Sequence, residues 1–148
     1  MNHAAAPFTW LGTAAIVGAG LVAAAIAHSP TQPLVWMVAY LVLVVGVVQC
    51  VLGEGQARLA WEPPAAPMVW SQWLLFNLGN AGVIGGTLAR HFGLVAGGTV
   101  LFAVALAWFA LEAWRGRRGA GRVGYLLLVL AMLASSLVGI FLSAMQGV

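Results

Sequence analysis

No lysine and no aspartate occur in the 148 residues, and the six arginines and three glutamates that remain make up 6% of the chain. A soluble domain is about a quarter charged and just under half apolar. Here 63% of residues are apolar and the mean hydropathy is +1.01, so there is too little charge to cover a water-facing surface. Cysteine occurs once, at Cys50, which excludes an internal disulfide and any CxxC metal or redox motif. Catalytic sets are missing too: the sequence holds no phosphate-binding loop and no paired carboxylates. Ser135, Ser136 and Ser143 stand in an apolar run without a histidine and an acid to activate them. An enzyme built on this chain would depend on a cofactor or a partner subunit, so the expectation is a protein without catalysis of its own.

What is present is a set of long apolar runs. A helix needs about 20 mostly apolar residues to cross the hydrocarbon of a bilayer. Five stretches meet that length: Phe8 to Ala27, Leu34 to Leu52, Met68 to Ala89, Leu94 to Trp114 and Val123 to Ala144. No alternating strand pattern competes with them, which argues against a transmembrane barrel. The expected fold is therefore all-α, a polytopic bundle of five transmembrane helices in one domain covering residues 1–148. Ala25-Ile26-Ala27 has the form of a signal-peptidase site. Yet no positive residue precedes the run, and the run exceeds the usual 7–15-residue apolar core of a leader, so it reads as a retained helix.

The pI near 10.0 would suggest nucleic acid in a soluble protein. Four of the six arginines, however, sit in RGRRGAGR between the last two apolar runs, where positive charge marks the cytoplasmic side of a membrane. No nucleic-acid partner is expected. With that loop inside, Arg58 is also inside and only Arg90 is outside, which puts the N-terminus in the cytoplasm and the C-terminus outside a cell membrane. Most tryptophans fall at helix ends, as interfacial aromatic belts require.

Two asparagines near the middle of the third run, Asn77 and Asn80, are the strongest polar signal. An unpartnered amide in hydrocarbon costs several kcal/mol, so each must face protein, water or ligand. Their spacing places them on a helix face shared with Trp73 and Thr87, and with Gln49 and Thr13 they define a candidate midplane site for a small ligand or ion. The other reading is interhelical hydrogen bonding worth about 1 kcal/mol each. Gln49 leads into Gly53-Glu54-Gly55-Gln56, read as a surface loop in which Glu54 and Arg58 pair weakly. Glu112 stands three residues before Arg115 and can pair with it.

His28 and His91 end the first and third runs, expected at the outer face, where two imidazoles from adjacent helices could ligate a haem b iron. Their terminal positions favour two plain interfacial histidines instead, and the cofactor is left unknown. Small residues mark packing faces: Gly82 with Gly86, Gly93 with Gly97, and Ala131, Ser135, Gly139 and Ser143 at intervals of four. Such stripes let helix backbones approach closely. LGTAAIVGAGL from Leu11 aligns without gaps on LGNAGVIGGTL from Leu78, with five of eleven positions identical, a match that so narrow a composition also produces by chance.

The segment WEPP at Trp61 to Pro64, with five helices and seven tryptophans, resembles the tryptophan-rich sensory proteins, which bind porphyrins and steroids. In that family the comparable segment follows the first helix, whereas here it follows the second. FNLGNAGVIGG resembles the asparagine-glycine helix of small fluoride channels, which have four helices and an arginine motif that this chain lacks. Neither likeness extends beyond about one helix, and the chain is assigned to neither family. With loops this short, interactions should be lateral, with the lipid bilayer and with a membrane-protein partner or a second copy. The expected role is an accessory, assembly or structural component of a membrane complex. Ligand or ion transport through the Asn77 and Asn80 region is the alternative, and haem binding a further one.

Overall fold

The computed structural model describes residues 4–145, and among them the chain forms five helices joined by short connections. They are α1 (Ala6–Ile26), α2 (Gln32–Leu59), α3 (Ala66–Leu88), α4 (Phe92–Arg115) and α5 (Ala120–Met145). Four of these, α1, α2, α4 and α5, are long and apolar enough to cross a membrane, which makes the chain a multi-pass membrane protein. α3 has the length, at 23 residues, but Ser71, Gln72, Asn77 and Asn80 dilute its hydropathy and it falls outside that group.

Three of the five helices carry proline in their first turn, as Pro7, Pro33 and Pro67, where the missing N–H has no helical partner to lose. The second helix runs seven residues beyond the expected end at Leu52. Hydropathy drops at Gly53, but the backbone ladder does not depend on hydropathy, and residues 53–59, with Gly53-Glu54-Gly55-Gln56 among them, form about two further turns rather than a surface loop. Within α2, Leu41–Val48 widens into a π-helical stretch. Five of its eight residues are valine, whose branched Cβ atoms crowd the preceding turn of an ordinary helix.

The chain divides into two compact units, one within Met1–Glu54 and one within Gly55–Val148. In the first, α1 packs antiparallel on α2. A Cβ on Gly12 would lie 2.5 Å from the Cys50 sulfur and 2.9 Å from the Gly46 carbonyl oxygen, and one on Gly53 would lie 2.6 Å from the Phe8 Cβ. Phe8, Ala19 and Leu52 are fully buried there.

The second unit is organised by the α3–α4 pair. A Cβ on Gly86 would meet the Val95 backbone at 2.6 Å, one on Gly82 the Gly98 Cα at 2.8 Å, and one on Gly79 the Phe102 nitrogen at 2.6 Å. Because the partner numbers rise as the α3 numbers fall, the two helices are antiparallel and touch backbone to backbone over two turns. Dispersion between close backbones replaces the hydrophobic drive that lipid does not supply. Below the glycines, Phe76 packs tilted on Phe102 and edge-on to Phe109, with ring centroids 5.2 and 6.4 Å apart. α5 lies on α4, with only Tyr125 and Val129 of its residues buried.

The turn between α3 and α4 closes on Arg90, whose φ of +52° is left-handed. The His91 N–H reaches back to the Gly86 carbonyl at 2.8 Å, the six-to-one bond of a Schellman-type helix end.

Candidate functional site

The polar side chains of α3 turn back on their own helix. The Asn77 amide donates to the Trp73 carbonyl at 2.7 Å, the Asn80 amide to the Phe76 carbonyl at 2.8 Å, and the Thr87 hydroxyl to the Val83 carbonyl at 2.8 Å. Asn80 is buried and Asn77 and Thr87 are half-buried. Donors satisfied in this way need no ligand in order to sit at membrane depth. Trp73 is half-buried and meets Trp70 edge-on at 5.6 Å.

Gln49 belongs to the first unit and is fully buried. Its Nε2 donates to the Phe8 carbonyl over a long 3.4 Å, and its Oε1 has no partner among the described residues. Thr13 is exposed. His28 is exposed at the end of α1, and His91 is exposed at the start of α4, where its Nδ1 accepts from the Leu94 N–H at 3.3 Å. His91 therefore serves as an N-cap, one of the side-chain acceptors that satisfy the open amides of a helix start. Among the described residues no group of three or more histidine, cysteine, aspartate or glutamate side chains could hold a metal ion.

The small-residue stripes divide. Gly82 and Gly86 form the α3–α4 contact. Gly93 and Gly97 are exposed, and their neighbour Gly98 takes the close approach. On α5, Ala131, Ser135 and Gly139 are exposed and Ser143 half-buried. A Cβ on Gly139 would find nothing within 4 Å.

The most structured polar region lies elsewhere, where the end of α2, the α2–α3 connection and the end of α4 meet. A pocket of about 190 Å³ opens there, lined by Gln56, Trp61, Glu62, Met68, Glu112 and Arg115 among others. The connection is held in place by the Arg117 N–H, which donates to the Leu59 carbonyl at 2.7 Å. Gln56 is anchored in turn, its Nε2 donating to the Gln72 Oε1 at 2.9 Å. Both amides are buried, and the Gln72 Nε2 has no partner among the described residues. Glu112 and Arg115 pair as expected, at 3.6 Å across one turn.

Arginines at the α4–α5 junction also dock on tryptophan rings. The Arg117 guanidinium sits 5.6 Å from the centre of the Trp61 ring, and that of Arg122 sits 5.3 Å from the Trp114 ring while Nη1 donates to the Trp114 carbonyl. Such contacts are worth about 0.5–1 kcal/mol at exposed sites.

Sequence reasoning missed Gln72 and the pocket. The signal for Gln72 was its place two turns before Asn80 on one helix face. The pocket had none, because it joins residues about 45 to 60 positions apart. Comparison with known proteins finds no family model, no curated protein and no solved structure that matches this chain.

Proposed function

We propose that this chain is a non-catalytic five-span membrane protein that acts as an accessory, assembly or structural component of a membrane complex, through lateral contacts of its helices. α3 is the fifth span. It runs antiparallel to α4 in backbone contact, so a bilayer crossed by α4 holds α3 at the same depth, with its amides bonded to its own carbonyls. Positive charge at RGRRGAGR and Arg58 orients the N-terminus to the cytoplasm and the C-terminus outward.

The observation that carries the role is α5. Only Tyr125 and Val129 of its 26 residues are buried, and its small-residue face of Ala131, Ser135 and Gly139 lies open, a surface on which another helix backbone can approach closely. Connections this short leave little outside the bilayer with which to recognise a soluble partner.

The test is native purification in mild detergent, followed by blue-native electrophoresis and mass spectrometry, for the wild type, Gly139→Ile and the off-stripe control Val138→Ile. The expected outcome is a complex containing stoichiometric membrane subunits, or several copies of this chain, which Gly139→Ile reduces to the monomer and Val138→Ile leaves intact. A wild-type protein that migrates as a monomer from native membranes would refute the role.

A further inference from the structure

The pocket at the end of α4 combines charges that the accessory role does not use. Glu62 and Glu112 supply two carboxylates, Arg115 a guanidinium, Trp61 an aromatic wall and Gln56 a buried amide. Arg115 holds Glu112 at 3.6 Å through one nitrogen, and its side chain is 66% exposed. A guanidinium has five N–H donors in a planar fork, so this contact leaves most of them available to a second anion. Arg117, stacked over Trp61, adds another positive group near the rim.

A ligand that satisfies both signs at once carries an ammonium for the carboxylates and, a short link away, an anionic oxygen for the guanidinium. The volume of the pocket is about 190 Å³. That suits a small headgroup and is well below the 300–1,000 Å³ of sites for drug-sized molecules.

Depth identifies the source. α4 has 24 residues and is about 36 Å long at about 1.5 Å per residue, against about 30 Å of hydrocarbon. Glu112 to Gly116 therefore lie among the lipid headgroups, as do the exposed rings of Trp61 and Trp114. We propose that this pocket binds the headgroup of an ethanolamine-type phospholipid, with its primary ammonium on Glu62 and Glu112 and its phosphate on Arg115. A choline headgroup has no N–H to give the carboxylates, and a glycerol headgroup brings no cation.

The experiment is native mass spectrometry of the full chain after exchange into an equimolar mixture of phosphatidylethanolamine, phosphatidylcholine and phosphatidylglycerol. The wild type is expected to retain phosphatidylethanolamine at least about tenfold over either competitor, about 1.4 kcal/mol. The double variant Glu62→Gln, Glu112→Gln loses that preference, and Arg115→Gln lowers retention of phosphatidylethanolamine. Wild-type retention in proportion to the mixture would overturn the proposal, a result that needs no variant to fold. Soluble phosphoethanolamine, added in equimolar amount to the lipid, is expected to leave it bound; displacement at that ratio would overturn the lipid as the source.

Discussion

Gly98 gives the sharpest test of the packing. A methyl group there would lie 2.6 Å from the Val83 nitrogen and 2.7 Å from the Gly79 carbonyl oxygen, where van der Waals contact needs about 3.5–4.0 Å. Both atoms are backbone of the facing helix, so no side-chain rotation relieves the overlap, and α3 and α4 must separate by about 1 Å over the whole glycine contact. Overpacking of this kind costs about 1–3 kcal/mol. Gly98→Ala also gains helix propensity, up to about 1 kcal/mol, which would mask part of the loss. Gly97→Ala controls for it, being the same exchange on the same helix with nothing within 4 Å of the added carbon. The difference between the two variants is then the packing term alone, about 1–3 kcal/mol, or roughly 5- to 150-fold in the folding equilibrium. Reversible unfolding in mixed micelles, followed by circular dichroism, measures it. Equal stability of Gly97→Ala and Gly98→Ala would refute the backbone contact between α3 and α4.

Three further outcomes are expected. Arg90→Gly should stabilise the chain by about 0.5–1 kcal/mol in the same assay, because glycine adopts the left-handed φ of +52° without strain; if Arg90→Ala does as much, backbone strain is not the cause. Gln56→Leu should cost about 1–3 kcal/mol by leaving the buried Gln72 amide with no bond at either end, and Gln72→Leu added to it should restore most of the loss; simple additivity in this double-mutant cycle would contradict the pairing. Gln49→Leu should be neutral or stabilising by about 1 kcal/mol, since its one bond is long and its Oε1 is buried unpaired; a clear loss of stability would mean that the amide has a partner in the membrane.

Composition by itself determined the class of the protein. With 6% charge and apolar runs of about 20 residues, the backbone has to satisfy its hydrogen bonds within helices, so the number of helices and most of their ends were legible. So was the Glu112–Arg115 pair, because residues three apart on a helix are neighbours whatever surrounds them. The tertiary structure decided matters that depend on what stands opposite. Spacing marked Gly82 and Gly86 as a close-approach face, but Gly98 meets Gly82 and Val95 meets Gly86, while nothing lies within 4 Å of a Cβ on Gly97, because the rotation of α4 about its axis, which local spacing does not fix, decides which of its residues face α3. The end of α2 looked like a loop because hydropathy falls at Gly53, yet the helix continues to Leu59 with Gln56 buried against Gln72. Asn77 and Asn80 drew attention as polar groups in an apolar run, and in the folded chain their donors bond one turn back. The pocket was invisible for the same reason: Glu62 comes near Glu112 and Arg115 only when the α2–α3 connection meets the end of α4, a distance relation that no local pattern encodes.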